Sequence, residues 1–287
     1  MNYIDEIKAL LARDYNCSFE DFGKGGHILT MPPESGGRNY CEYSRFFRMV
    51  TFGNNCVICA DKVLQPYLRE FIKSESGHRL FEQNLLSLFQ EEPARFGYKL
   101  GGSYHYYLPE KKTNLSGDFH LKWMFDKLDF EQFYGDERFP NALCEHYSEI
   151  HPDIIVVLAY DGENIMGMAG CSEDAPHWLQ IGVDVIPEYR GRGVGTFLVN
   201  SLENEIIRRG EIPFYDTATA NIHSQKIALK CGFKPAFTEI GAIGKERNIM
   251  DDKEKQVPET SDEKTWVDDM KQELENYIEE QGIYIRQ

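Results

Sequence analysis

The chain has 287 residues, enough for about two domains, and its 41% hydrophobic, 13% aromatic and 27% charged content is that of a folded globular protein. A formal net charge of −16 excludes a broadly basic nucleic-acid-binding surface. Seven cysteines without scaffold spacing, an acidic N-terminus unlike a signal peptide, and no apolar run near the ~18 residues of a membrane span predict a reduced, cytoplasmic protein with no membrane partner.

In chain order, Tyr3, Ile4, Ile7, Leu10 and Leu11 share one helical face, which predicts a helix over 3–13. Residues 31–40 have loop chemistry. Residues 46–60 read as two strands joined at Gly53-Asn54-Asn55. Cys56 and Cys59 form a C-x-x-C in the second strand, but no matching second pair follows and Val57-Ile58 suit a buried strand, so they read as core cysteines rather than a zinc or redox pair. Helices are expected near 64–73 and 78–91, ending at Pro93 and Gly97, then a strand over 98–108 with the cluster Tyr104-His105-Tyr106-Tyr107. The polar stretch 109–118 is the expected boundary of an N-terminal α/β domain, 1–117, of unassigned role.

From 118 a regular α/β order sets in. A strand at 119–125 precedes helix over 129–149, broken near Pro140. Strands at 153–160 and 165–171 flank the turn Asp161-Gly162-Glu163-Asn164. The run Ile181 to Ile186 ends at Pro187 and is followed by Arg190-Gly191-Arg192-Gly193-Val194-Gly195; Val194, Phe197, Leu198, Leu202 and Ile206 then continue at helical spacing. A further strand at 214–220, a helix from Asn221 to Lys230 and a last strand near 236–240 complete the domain, 118–246. The fold class is a mixed-sheet α/β protein.

A strand, a glycine-rich turn and a helix start make an anion cradle. The first helical N–H groups lack internal partners, the helix dipole is positive there, and glycines allow close approach of a phosphate. Neither G-x-G-x-x-G nor G-x-x-x-x-G-K-[ST] is present. The pattern V-x-P-x-x-R-G-x-G-x-G, in Val185, Pro187, Arg190, Gly191, Gly193 and Gly195, resembles motif A of the GCN5-related N-acetyltransferase (GNAT) superfamily. Asn221, Ser224 and Gly232-Phe233 resemble its motif B, N-x-x-[SA]-x₇-G-F. The resemblance covers about 118–243.

The resemblance implies a GNAT fold binding acetyl-CoA, with no metal, and transfer of the acetyl group to a small-molecule or peptide amine by direct attack in a ternary complex. It implies that Val183, Val185 and Ile186 line the pantetheine arm. The pyrophosphate falls to Arg190, Gly191, Arg192, Gly193, Val194, Gly195 and Thr196, with Asn221 and Ser224 also meeting coenzyme A. The Val185 N–H becomes the donor to the thioester carbonyl, an interaction worth ~3–4 kcal/mol. Where many relatives carry a proton-donating Tyr this chain has Ala228, which leaves Tyr215, Cys231 or water as substitutes. Asp184 is the candidate base on the motif strand; His177, Glu173 and Asp174 just precede it. The missing Tyr also keeps a second reading open, a non-catalytic acyl-CoA-binding regulatory or scaffolding protein.

The tail, 247–287, is expected to be an acidic linker followed by an amphipathic helix with Trp266, Met270, Leu274, Tyr277 and Ile278 on one stripe. That helix docks on its own protein or supports self-association. From Asp251 on, twelve acidic and five basic residues give −7 of the net −16.

Overall fold

A computed structural model describes residues 2–73 and 77–244; the expected acidic linker and tail helix lie outside them. In chain order, α1 (Tyr3–Asp14) leads to β1 (Ile28–Thr30), the hairpin β2 (Phe47–Thr51) and β3 (Cys56–Ala60), and helices α2 (Gln65–Phe71) and α3 (Gln83–Arg95). Next come β4 (Lys99–Leu100), β5 (Tyr104–Pro109), β6 (His120–Met124) and the short α4 (Lys127–Phe130). The chain continues with β7 (Asp153–Asp161), β8 (Asn164–Ala175), β9 (Trp178–Val185), α5 (Val194–Arg208), β10 (Ile212–Ala218), α6 (Ile222–Cys231) and β11 (Phe233–Ile243).

The opening helix forms as its pattern requires. Asn2 caps it by accepting from the Ile4 N–H, and Ile7, Leu10 and Leu11 are buried. The β7–β8 turn pairs Asp161 with Asn164 and uses Gly162 at φ +61°, the left-handed region that glycine enters without a Cβ clash. Helix α3 differs from expectation by running past Pro93 to Arg95. Proline there forfeits its own N–H bond to the carbonyl of Phe89, and the helix ends two residues later. The helix expected over 129–149 shrinks to α4 and one 3-10 turn. Gly135 at φ +74°, Pro140 and a side-chain anchor described below hold most of that stretch as loop.

Eleven strands form one mixed sheet, in the order β1-β3-β2-β11-β5-β10-β9-β8-β7-β6, with β4 also on β11. Strand β5 lies between β10 and β11 and is antiparallel to both. The hairpin β2–β3 extends the same sheet from β11, with Met49 opposite Ile240. A boundary near 117 therefore does not divide the sheet: residues 2–244 form one compact unit, because hydrogen-bonded ladders join its halves.

Alternation assigns the faces. Ile155, Val157, Ala169 and Ile181 pack under α5 with Val194, Leu198 and Leu202. Val156, Leu158 and Met168 point the other way, against Phe130, Phe139 and Leu143. In β3, Cys56 joins the cluster with Phe47 and Leu80, while Cys59 joins the one with Leu11 and Val50. Three residues apart on a strand, the two thiols face opposite layers and cannot share one ligand.

A buried ionic cluster ties the N-terminal third to β11. Arg38 donates to Asp14 through Nε and to both oxygens of Glu239 at 2.9 and 2.7 Å, and the Tyr15 hydroxyl donates to Glu239 at 2.7 Å. Burial raises the Glu239 carboxyl, but Arg38 more than offsets it and leaves it below the usual range. The cluster fixes the segment 38–42 over the sheet.

Candidate functional site

The central feature is a split between β9 and β10. Their parallel ladder runs only from Trp178 against Ile212 to Ile181 against Tyr215. Past that point the two strands no longer pair with each other, β9 staying on β8 and β10 on β5. The Ile186 N–H donates to Met166 O of β8 at 2.9 Å. Alternation along β9 then turns the Val185 and Val183 N–H groups to the opposite edge, into the split. On the α5 face, Val183 and Val185 pack on the core beside Ile227.

The glycine turn closes that edge. Gly191 and Gly193 adopt φ +77° and +86°, and Gly193 caps α5 without a side-chain hydrogen bond. Because Phe197 is the first residue to donate within the helix, at 2.9 Å to Gly193 O, the N–H groups of Val194, Gly195 and Thr196 have no intrahelical acceptor. A Cβ on Gly195 would lie 3.1 Å from Val185 Cγ2 and 3.3 Å from Ile227 Cδ1, so the bare backbone lets α5 sit tight on β9. Arg190 Nε donates to Val185 O at 3.1 Å, and the Arg192 guanidinium lies 5.2 Å from the Tyr189 ring centroid. Thr196 O accepts from the Cys231 thiol at 3.3 Å.

Asn221 and Ser224 lie at the start of α6. Asn221 caps the helix, accepting from the Ser224 N–H at 3.1 Å. Ser224 Oγ and the Tyr215 hydroxyl are 2.7 Å apart. Tyr215 is buried; burial pushes its hydroxyl up to about 12, against the Ser224 hydrogen bond. Ala228 is a core residue, wholly buried beside Cys231 and Phe233.

On the sheet face opposite α5 lies a cavity of about 220 Å³. Its floor is Gly170, Ser172, Gln180, Gly182 and Asp216; one wall is the loop Pro140–Cys144, and another is Arg38 to Glu42 from the N-terminal third. Gly170 and Gly182 are required because the carbonyls of Ala142 and Asn141 sit where a Cβ would project. Asp184 anchors that loop: its carboxylate accepts from the Asn141 N–H at 2.7 Å, Asn141 Nδ2 at 2.6 Å and the Ala142 N–H at 2.8 Å. With three donors on its oxygens, Asp184 holds the cavity wall.

Asp216 follows Tyr215, the last residue of β10 paired with β9, and faces the cavity. It accepts from Gln180 Nε2 at 2.7 Å. Burial, reinforced by the charge of Asp174, lifts its carboxyl to about 7, with Glu42 adding to the rise and Gln180 opposing it. Asp174 is buried at the end of β8, and its backbone carbonyl accepts from the Asn39 and Tyr40 N–H groups at 2.6 and 3.1 Å. His177 is on the surface, with Nδ1 3.0 Å from Glu211 Oε2, and the Glu173 N–H donates to Pro152 O at 2.9 Å.

Of the residues expected at the site, the structure gathers 183–196 at the split and the helix start, with Asn221, Ser224 and Tyr215 across it. It also brings in Asp216, Asp153 and Glu42, which sequence reasoning passed over. Only Asp216 carried a local signal: a lone acid within the apolar strand FYDTATA, out of phase with the core-facing Tyr215.

Residues 122–233 match the family model described as Acetyltransferase (GNAT) family. No curated protein matches the chain in sequence. Among solved structures, a GCN5-related N-acetyltransferase-like protein from Streptococcus suis is 19% identical, over 56% of this chain and 69% of that one, with a TM-score of 0.40. A GCN5-related N-acetyltransferase from Kribbella flavida gives 10%, 55%, 64% and 0.39 in the same order. An acetyltransferase candidate from Salmonella typhimurium, solved with its cofactor acetyl-CoA, gives 13%, 45%, 94% and 0.31.

Proposed function

We propose that the acetyltransferase-family domain at 122–233 makes this chain an N-acetyltransferase, moving an acetyl group from acetyl-CoA to an amine in a ternary complex. The observation that carries the proposal is the β9–β10 split beside the helix start of α5. The residues present fit coenzyme A. Val183, Val185 and Ile186 line the strand edge for the pantetheine arm, and Arg190 through Thr196 supply bare backbone and N–H groups for the pyrophosphate. Asn221 and Ser224 close the opposite side. Acetyl-CoA supplies the activated acyl group.

The Val185 N–H, held in the split, is oriented to donate to a carbonyl oxygen whose charge grows during attack. An alkylammonium near pKa ~10.4 must lose its proton before nitrogen can attack. Asp216 is the base we assign: it borders the split, faces the cavity, and titrates where a base at neutral pH is most effective. Asp184 acts through position, keeping the wall 140–144 in place. Tyr215 stays protonated at neutral pH, and through Ser224 it is the hydroxyl we assign to return a proton to the departing thiolate. Asp216 takes one proton from the ammonium before attack. As the nitrogen–carbonyl bond forms, the carbon–sulfur bond breaks, the second nitrogen proton leaves to water, and the thiolate gains a proton from water or from the Tyr215–Ser224 pair, which solvent then restores.

The test is free-thiol release from acetyl-CoA across a panel of small amines. Amine-dependent release supports the proposal. Saturable acetyl-CoA binding without release from any amine refutes it and favours the acyl-CoA-binding scaffold.

A further inference from the structure

One group of cavity residues has no task in acetyl transfer to an amine. Cys144 ends the wall 140–144, and its Sγ lies 3.6 Å from His151 Nδ1, within reach for a sulfur donor. On the other side of the same ring, His151 Nε2 lies 2.8 Å from Asp174 Oδ1. Thiol, imidazole and carboxylate all border the cavity of about 220 Å³. Their order is that of a nucleophile, its base and the group that orients the base.

The surroundings hold that order. The Cys144 N–H donates to Asp153 Oδ1 at 3.4 Å, and Asp184 clamps the same loop two residues earlier, at the Ala142 N–H. The His151 ring is stacked on Tyr40, with centroids 3.9 Å apart and planes 6° from parallel, which limits rotation of the imidazole. With a proton on Nε2 facing Asp174, Nδ1 keeps a lone pair for the thiol proton. Burial first, and the Asp153 charge second, push the Cys144 thiol up to about 12. The resting nucleophile is therefore S–H, and it attacks only as His151 takes its proton. Ser172, the strand partner of Asp153, adds a hydroxyl to the cavity floor for the carbonyl oxygen of a substrate.

Register separates this group from the thioester position assigned above. Ser172 stands opposite Gln180, in the paired part of β9, whereas Val185 lies five residues further on, about 16 Å at ~3.3 Å per residue. We propose that Cys144 and His151, with Asp174 as the positioning residue, form a second catalytic centre that hydrolyses a small carboxylic ester or thioester through an acyl-cysteine, without coenzyme A. Cys144 Sγ bonds to the acyl carbon while its proton passes to His151 Nδ1. The bond to the leaving oxygen or sulfur breaks, and His151 returns that proton to the leaving group. Water then attacks the acyl-cysteine, gives one proton to His151 and releases the acid, and the proton goes back to the Cys144 sulfur. The cavity is smaller than the ~300–1,000 Å³ of pockets for drug-sized ligands, which restricts the acyl group to a few carbons.

Hydrolysis of 4-nitrophenyl acetate by the full chain, with neither coenzyme A nor amine present, tests the inference. We expect a burst of about one nitrophenolate per chain, the stoichiometry of one acyl-enzyme, then steady turnover, with the acetyl group on the Cys144 peptide by mass spectrometry. His151→Gln should slow acylation by about 10²–10⁴-fold, the usual worth of a general base. Asp174→Asn should slow it less and move the pH midpoint of the rate downward, because the imidazolium loses a counter-charge and keeps only Asp153 facing it. No burst, acetylation spread over several cysteines, or an equal rate in His151→Gln would overturn the inference. Each of these outcomes leaves the acetyltransferase reading standing, since that reading is tested by amine-dependent thiol release.

Discussion

Replacing Asp216 by Asn separates two properties carried by one carboxyl. Asparagine keeps the shape and can still accept from Gln180, but it does not titrate. In the native protein the carboxyl is raised to about 7, with burial first and the Asp174 charge second among the causes. A raised carboxylate pKa means that the folded state holds the proton more tightly than the unfolded state. The wild type therefore loses stability as pH rises from about 4 to about 7, where only the unfolded chain is ionised, and the loss is complete above that window. Three pH units correspond to roughly 4 kcal/mol, and solvent reaching the cavity reduces this to a few kcal/mol. Asp216→Asn should thus gain about 1–3 kcal/mol relative to wild type on going from about pH 4 to pH 8, while amine-dependent kcat/KM falls by about 10²–10⁴-fold. Urea unfolding at the two pH values, with thiol release at the higher one, measures both. A stability difference independent of pH would refute the buried, upshifted carboxyl; undiminished turnover would refute its role as base.

Asp184→Ala should release the loop 140–144 and cost about 2–4 kcal/mol in thermal unfolding, from three charge-assisted hydrogen bonds at a partly exposed site. Acetyl-CoA affinity should hold while amine KM rises, which a catalytic base would not produce. Gly193→Val forces a β-branched residue to φ +86° at the helix cap; about 1–3 kcal/mol of strain and a blocked cradle should abolish acetyl-CoA binding by calorimetry while circular dichroism stays native. Tyr215→Phe should lower kcat by no more than about 100-fold, because a coenzyme A thiol near pKa ~8.5 leaves at modest cost unaided. Arg38→Met strands the buried Asp14 and Glu239 carboxylates and should cost about 3–5 kcal/mol in denaturant unfolding.

Much of this architecture is legible in the chain. Gly162 in its turn, the period-2 runs 153–175 and the glycine-rich helix start each encode a local geometry, and the structure places elements there. Long-range pairing is not encoded that way. Nothing in YKLGGSYHYYL says that Tyr106 will lie between Asp216 and Phe237, since strand periodicity identifies a strand without naming its neighbours. The helix expected over 129–149 failed for a related reason: Asp184, more than forty positions away, claims the backbone N–H groups of Asn141 and Ala142. The acidic cavity is likewise assembled from Glu42, Asp153, Asp174 and Asp216, whose separation in sequence hides their meeting.

The placement of β5 has a consequence for biosynthesis. A ribosome delivers the N-terminal strands first, yet β5 is completed only by β10 and β11, and β2 only by β11. Until the last strand emerges, the nascent chain presents apolar strands with unpaired edges, the kind of surface that chaperones bind and that aggregates when left uncovered. The Arg38–Glu239 pair, 201 residues apart in sequence, can form only at that final step. A chain stopped short of β11 would therefore lack the partner of its first hairpin as well as its last strand, and protection of β2 and β5 amides in pulsed hydrogen exchange should appear together with that of β11.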